Sequence, residues 1–446
     1  MMDPEIYENP QLEPLYREPE NDPQEVAGEP RRAGMMQSAA YRGVFVFCAV
    51  YFFRPEDFWE PLLAVPIAKI AGIFTAIALL GAIFVEGVRL RREGKILLGL
   101  LAYLAACIPF SRWPGGSMDI ILQVFAKGVI IALAAMACIA SHKQLRRLMS
   151  VQALAMLLMS AIAVTQPKLQ GRMYGTGNLF ADPNDFALNL CIVLSFTVAI
   201  LVSSRRLIGK LFWGGAIASI VAAIVLTGSR GGFLAMVATS IALWRRFRVS
   251  KAAGVAILVF LVLMGVFAVL VLGGSSYLDR VSTITNISAD TTGSAEARWE
   301  LLVLSLETTV KHPLFGIGPG QFENFSGAWH LTHNTYTEFS SEAGLPALAL
   351  FLFLIWTTFK NLRVRAADVK LRILSDGLYG AMVGYVVGAF FLSTGYLFIP
   401  YLLMAYISAA TRIAEQTGIE PAGHKITTDA APDLDVNGWE EPQHEH

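Results

Sequence analysis

Nothing constrains this chain more than its apolar runs, which follow one another almost without pause from residue 41 to Gly273. A backbone that spends most of its length in lipid must satisfy its N–H and C=O groups internally, and a helix does this within one segment. The runs fall at 41–53, 62–85, 96–110, 118–140, 148–165, 184–203, 207–227, 231–247, 252–273, 344–359, 376–394 and 396–413. They predict an all-α, polytopic membrane protein of about twelve transmembrane helices. The first and third runs are short for a hydrocarbon core of about 30 Å. The last two fit one hairpin broken around Gly395 and Pro400. Composition agrees: charged residues make up 16% of the chain, against about 25% in soluble domains. The mean hydropathy is +0.52.

The pattern breaks once. Between Gly273 and the run at 344–359 stand about seventy mostly polar residues, ending in His333-Asn334-Thr335-Tyr336-Thr337-Glu338. Spanning does not require so long an insertion, so chemistry is expected there. The chain therefore divides into a disordered N-terminal tail (1–40), a first bundle (41–273), the polar loop (274–343), a second bundle (344–414) and a disordered acidic C-terminal tail (415–446). The N-terminal tail is rich in Pro and Glu and has no apolar core, so it is not a cleavable signal peptide.

Lysine and arginine set the expected orientation. Alternate loops carry Arg89/Arg91/Arg92/Lys95, Lys143/Arg146/Arg147, Arg205/Arg206/Lys210, Arg245/Arg246/Arg248/Lys251 and Lys360/Arg363/Arg365/Lys370/Arg372, while the others are nearly bare. By the positive-inside rule the basic loops and both termini are cytoplasmic. The 274–343 loop, the Thr227–Gly232 turn and the Arg172 segment then lie outside, where there is no ATP, and the chain has no phosphate-binding P-loop. A formal net charge of zero argues against a nucleic-acid partner. Cys48, Cys107, Cys138 and Cys191 all sit inside apolar runs and read as small buried hydrophobes.

Few cations remain on the outer side. Arg230 lies in Thr227-Gly-Ser-Arg-Gly-Gly232, a tight link whose free N–H groups start the next helix, which makes it an anion site or an anchor to lipid phosphate. Arg172 precedes Asp182-Pro183-Asn184-Asp185, a helix start with an N-cap and Pro at the first position, and fits a headgroup anchor or a substrate contact. Arg298 stands near the start of an amphipathic helix that opens at Ser294 and stops at His312-Pro313, with Trp299, Leu302, Val303, Leu306 and Val310 as its apolar stripe. Such a helix lies over the bundle mouth or on the membrane interface, and Arg298 is a site residue or an ordinary flank charge.

His333 is the foremost candidate for catalysis. Thr335 and Glu338 have capping-box spacing, so a helix is expected to begin there. The positive end of that helix would keep the imidazole neutral and able to take a proton from a hydroxyl. A capping His is the plainer alternative, and Glu338 has a plain role as box partner. Glu342 is not interpretable from sequence alone. Lys127, well inside an apolar run, is either functional or snorkelling outward. His330 and His333 lack further close ligands, so no metal is expected. The Gly-rich stretch Phe315–Phe322 reads as a sharp fold-back.

Three segments, Thr227-Gly-Ser-Arg-Gly-Gly232, His312-Pro-Leu-Phe-Gly-Ile-Gly-Pro-Gly320 and His333-Asn-Thr-Tyr-Thr-Glu338 with Gly344-Leu345-Pro346, resemble the O-antigen ligase and Wzy-type polymerase superfamily in their order and topology. The resemblance covers about 170–360 and leaves out both tails. It implies a metal-independent glycosyltransferase of the bacterial inner membrane without a cofactor. Such an enzyme transfers a glycan from undecaprenyl pyrophosphate to an acceptor hydroxyl on the periplasmic side. The acceptor would be a glycan, a lipid A-core sugar or a protein. On this resemblance Arg230 and Arg298 match the arginines that engage the donor pyrophosphate, His333 matches the histidine that activates the acceptor, and Arg172 corresponds more loosely to an upstream basic residue. A Wzy-type polymerase extending a lipid-linked glycan is the alternative within the family. A lipid-linked glycan flippase, or a scaffold for polysaccharide export, is the alternative outside it. A flippase needs polar groups near the midplane and paired repeats, and the sequence has one clear intramembrane charge, Lys127, and no visible repeat.

Overall fold

The computed structural model describes residues 34–57, 61–62, 65–166, 172–175, 180–247, 294–327 and 330–418. Over these the chain is all-helical. The main helices are α1 (Met35–Phe53), α2 (Ile67–Phe84), α3 (Arg92–Cys107), α4 (Pro114–Cys138), α5 (His142–Thr165), α6 (Pro183–Val202), α7 (Leu207–Leu226), α8 (Arg230–Arg246), α9 (Ser294–Lys311), α10 (Thr335–Glu342), α11 (Gly344–Asn361), α12 (Val369–Gly388) and α13 (Phe398–Thr417). Eight of them, α1 to α7 and α11, are long and apolar enough to cross a membrane. Every run expected to span coincides with a helix except 252–273, which lies outside the described residues, as do 274–293 and most of both tails. Of the twelve expected spans eight meet this length and composition, 231–247, 376–394 and 396–413 coincide with helices that do not, and 252–273 lies outside the described residues.

Helix starts follow from side chains that take over orphan N–H groups. Asp182 caps α6 by accepting from the N–H groups of Asn184 and Asp185, with Pro183 at the first position. Ser141, Ser229 and Asp368 cap α5, α8 and α12 in the same way. α1 begins at Met35, upstream of the expected run and inside the stretch assigned to the N-terminal tail. α3 reaches bilayer length because it starts at Arg92 and runs on through a short 3₁₀ turn to Phe110. α4 contains a π turn at Ile120–Phe125.

α6 is the centre of the bundle. Its most apolar stretch is 83% buried, against 28% for α2, so α6 packs on protein where α2 faces lipid. α6 touches α5, α7, α8 and α12; α13 lies on α4, α11 and α12; α1 and α2 form a pair against α4 and α5.

Two expectations for the polar loop change. The capping residue of α10 is Asn334, whose side chain accepts from the N–H groups of Tyr336 and Thr337; Thr335 is the first helical residue, and Glu338 is not its box partner. Helix α9 forms where expected, but its apolar stripe is turned outward: Trp299 is 66% and Val310 79% exposed. Its inner face is Leu301, Ser305, Thr308 and Thr309, and the Thr309 and Ser340 hydroxyls meet at 2.8 Å.

One end of the bundle is laced by ion pairs. Arg91 bonds both carboxylate oxygens of Glu415 and lies 3.6 Å from the buried Glu93. Glu93 also accepts from Ser408 at 2.9 Å. His142 Nδ1 is 2.9 Å from Asp368, and Arg246 stacks on Tyr379 while lying 3.7 Å from Asp376. The candidate site is at the other end.

Candidate functional site

The start of α6, the start of α8, the far end of α12 and the short helix α10 meet at that other end, and the sequence dictates how. In the turn before α8, Gly228 takes φ +60, which L side chains resist. Gly231 and Gly232 serve close packing instead: a Cβ on Gly231 would stand 2.7 Å from Phe391, and one on Gly232 2.5 Å from Ala187. The Ser229 hydroxyl accepts from Gly232 N–H, so one of the free N–H groups is taken by a cap.

Arg172 holds this turn against α6. Its Nε donates to the Thr227 carbonyl at 2.8 Å and its Nη2 to Asn184 Oδ1 at 2.9 Å, while Ser229 donates to the same Asn184 oxygen at 2.8 Å. Met173 N–H adds a bond to the Leu226 carbonyl. A planar fork spans a carbonyl and an amide at once, which a lysine cannot do. Arg172 and Arg230 therefore share one local structure, with Arg230 half-buried at the first position of α8.

α10 is fastened to the segment after α12. Thr335 N–H donates to the Ala389 carbonyl, and its hydroxyl donates to the Leu392 carbonyl and meets Thr394 at 2.9 Å. Tyr336 donates to the Val386 carbonyl, and Thr332 meets Ser393 at 2.9 Å. His333, between these anchors, has φ +49, a left-handed backbone that costs a non-glycine residue energy and persists only where its surroundings impose it. Its ring is mostly buried. Burial first, and then the positive charge of Arg298, push its pKa down from 6.5 to about 4, with Asp182 opposing and His330 assisting. His330 stands with ring centroids 6.5 Å away. The imidazole is thus neutral near pH 7, through burial and Arg298.

The structure brings together His333, Arg298 and Asp182, and beside them the Arg172–Asn184–Ser229–Arg230 turn. It does not bring Lys127 among them. Lys127 donates to Gln123 at 2.6 Å and faces a separate groove with Lys69.

Glu338 and Glu342, one turn apart on α10, are both buried. Glu338 accepts from Gly395 N–H at 2.8 Å. Glu342 accepts from Gly320 N–H at 2.7 Å and from Phe322 N–H at 3.0 Å. Burial and the neighbouring Glu342 raise Glu338 well above the carboxylate range, and burial raises Glu342 to about 7 against the pull of its two N–H bonds. The Glu342 bonds fix the Gly-rich loop, which folds back as expected: Ile317 and Gly318 N–H donate to the Ser341 and Glu342 carbonyls. Gly316, Gly318 and Gly320 all have positive φ. A Cβ on Gly316 would collide with the Glu342 backbone at 2.2 Å.

Sequence reasoning missed three participants. Glu342 accepts from the backbone of another loop, which leaves no mark on its own neighbourhood. Asp185 was read only as part of the helix start at Asp182-Pro183-Asn184-Asp185, yet it also acts on Glu338. Arg112 donates its N–H to the Ile317 carbonyl and stacks on Phe325 at 4.3 Å, so it braces the same loop.

Among the described residues no three His, Cys, Asp or Glu side chains gather into a metal-binding group. The chemistry available is that of a neutral imidazole beside guanidinium groups at the capped starts of two helices. Such an arrangement can take a proton from a hydroxyl and stabilise a developing anion.

A search of curated protein sequences finds no match to the chain. A protein-family model described as O-antigen ligase matches residues 215–352. The matched stretch runs from within α7 to within α11, so it includes Arg230, Arg298, His333, Glu338 and Glu342 and leaves Arg172 outside. This match supports a place in the O-antigen ligase superfamily for the stretch 215–352.

Proposed function

We propose that the protein transfers a glycan from a polyprenyl diphosphate, undecaprenyl pyrophosphate in bacteria, to an acceptor hydroxyl at the periplasmic face of the inner membrane. The single observation that carries this reading is His333: strained, neutral and electrostatically coupled to Arg298, at the end of the bundle that also holds Arg172 and Arg230. The basic loops supply the sidedness, with both termini in the cytoplasm and the 274–343 loop outside. The bundle at 41–273 and the helices of 344–414 form the scaffold, and the outward stripe of α9 rests on the membrane interface.

The chemistry balances without a nucleotide. The acceptor O–H gives its proton to the neutral imidazole of His333, and the oxygen forms a bond to the anomeric carbon. The bond from that carbon to the diphosphate oxygen breaks, inverting the centre, and the diphosphate leaves with the electron pair. A base of low pKa acts late, when bond formation has made the hydroxyl acidic, and releases its proton easily beside Arg298. Arg230 and Arg298 meet the growing charge on the leaving group. Charge-assisted hydrogen bonds of this kind contribute about 1.5–3 kcal/mol each.

The test is glycan transfer by the reconstituted protein, with a polyprenyl-diphosphate oligosaccharide as donor and lipid A-core, lipid-linked glycan or protein acceptors offered in turn. A single addition identifies a ligase and a ladder a polymerase. His333→Ala is expected to lower the rate on the order of 10²–10⁴ while the protein inserts normally. A full rate in that variant would reject the assignment, and lipid movement without a new glycosidic bond would identify a flippase instead.

A further inference from the structure

Lys127 is an unusual residue to find within a span, because charge in lipid is costly and rare. It lines a lateral groove of about 500 Å³ between α1, α2, α4 and the start of α13. The wall is apolar over most of its area, with Phe47, Tyr51, Ile73, Ile131 and Phe398 prominent. Among the described residues its charged lining is Lys69 and Lys127, both exposed, with no carboxylate beside them in the wall. The Lys127 Nζ donates to Gln123, one turn earlier in the groove wall. An ammonium has three protons, so donors remain for an anion.

Two further features make this wall more than an accident of packing. Gln123 belongs to the π turn of α4, and π turns recur at functional positions. The same turn joins the groove to the candidate site. Ile120 packs so closely on Gly320 that a Cβ there would lie 2.5 Å from it, and Phe125 stacks edge-on against Tyr401 and Tyr396. The arginines and His333 of the candidate site are not among the lining residues.

We propose that this groove binds one anionic phospholipid of the surrounding bilayer, its phosphate held by Lys69 and Lys127 and its chain laid along the apolar wall. Charge complementarity selects the headgroup, and the separate lining selects a resident lipid over the reacting donor. The bound lipid presses on the π turn from the membrane side while the Gly-rich loop rests on it from the other.

Delipidated full-length protein in neutral detergent, titrated with phosphatidylglycerol or phosphatidylcholine and read by native mass spectrometry, tests this. Each lysine near a phosphate is expected to favour the anionic lipid, giving a preference of about 30-fold. Lys69→Gln with Lys127→Gln should abolish the preference, and Lys127→Arg should keep it, with gel filtration confirming the fold of each. Equal binding of the two lipids to the unaltered protein would overturn the proposal. So would an undiminished preference in the double variant. Displacement of phosphatidylglycerol by a polyprenyl diphosphate, with the same lysine dependence, would overturn it in favour of a donor site. None of these readouts uses glycan transfer, so the result stands apart from the proposed reaction.

Discussion

The two ends of the bundle hold their carboxylates differently. At the end formed by the start of α3 and the close of α13, Glu415 and Glu93 face Arg91, Asp368 faces His142, and Asp376 faces Arg246. At the end that carries His333, Glu338 and Glu342 face backbone N–H groups of Gly395, Gly320 and Phe322. An opposite charge favours the ionised form of a carboxylate, so such a pair acts as a clasp. A carboxylate buried among neutral dipoles keeps its geometry, but burial raises its pKa toward neutrality. The first end is clasped by opposite charges, and the second holds its shape through neutral backbone donors around buried carboxylates. Strained backbone at His333 and the positive-φ glycines Gly316, Gly318 and Gly320 occur at the second end as well.

Predictions that break or sharpen this contrast start with the largest. The loss of 10²–10⁴ expected for His333→Ala should be followed by Arg230→Lys. That change keeps the charge but removes the fork, and the transfer rate should fall roughly 10²–10³-fold. A rate within a few-fold of the unaltered protein would show that Arg230 only anchors the turn.

Next comes the pH profile. With the His333 pKa lowered to about 4, kcat/KM should stay high as pH falls through 6.5 and drop only near the lower value. An acid limb centred at 6.5 would contradict the buried, Arg298-facing imidazole. The same shift has a stability counterpart. The unfolded chain binds a proton on His333 that the folded chain refuses, so stability is lost as pH falls from about 6.5 toward 4.

Glu342 has the opposite sign. Its folded pKa is raised, so the folded state holds the proton more tightly, and stability is lost as pH rises from the ordinary carboxylate range through about 7. Thermal unfolding of Glu342→Gln should lack that slope, and the gap to the unaltered protein should narrow between pH 5 and pH 8. A parallel pair of curves would mean that Glu342 is already ionised at pH 5.

The smallest effect belongs to the other end. Glu415→Gln breaks a partly exposed ion pair and should cost about 0–1 kcal/mol, with transfer unchanged. A large loss of activity there would erase the distinction between the ends.

Much of the scaffold was legible because lipid leaves a long apolar trace for each helix, and because caps such as Asp182-Pro183 use short-range chemistry. The order of Arg172, Arg230, Arg298 and His333 was legible too, since cations in otherwise bare loops stand out. What failed was the choice among local options that tertiary contacts settle. Asn334 and Thr335 both fit a capping role; Asn334 takes it, because the Thr335 N–H and hydroxyl are drawn to Ala389 and Leu392. Glu338, released from the capping box, reaches Gly395, far along the chain. The apolar period of α9 was real, but its buried face is the hydroxyl-rich one, because Thr309 bonds Ser340 on α10. Glu342 could not be read at all, since backbone N–H partners carry no side-chain signature.

The account turns on which side of the membrane the His333 end faces, and cysteine labelling with a membrane-impermeant maleimide in spheroplasts measures that directly. The native thiols Cys48, Cys107, Cys138 and Cys191 are all buried, so background is low. Leu331, 41% exposed and two residues from His333, and Glu415, 43% exposed at the ion-paired end, are suitable positions. The account predicts that Leu331→Cys reacts in intact spheroplasts and Glu415→Cys only after lysis. Labelling of Glu415→Cys in intact spheroplasts, with Leu331→Cys protected until lysis, would contradict it.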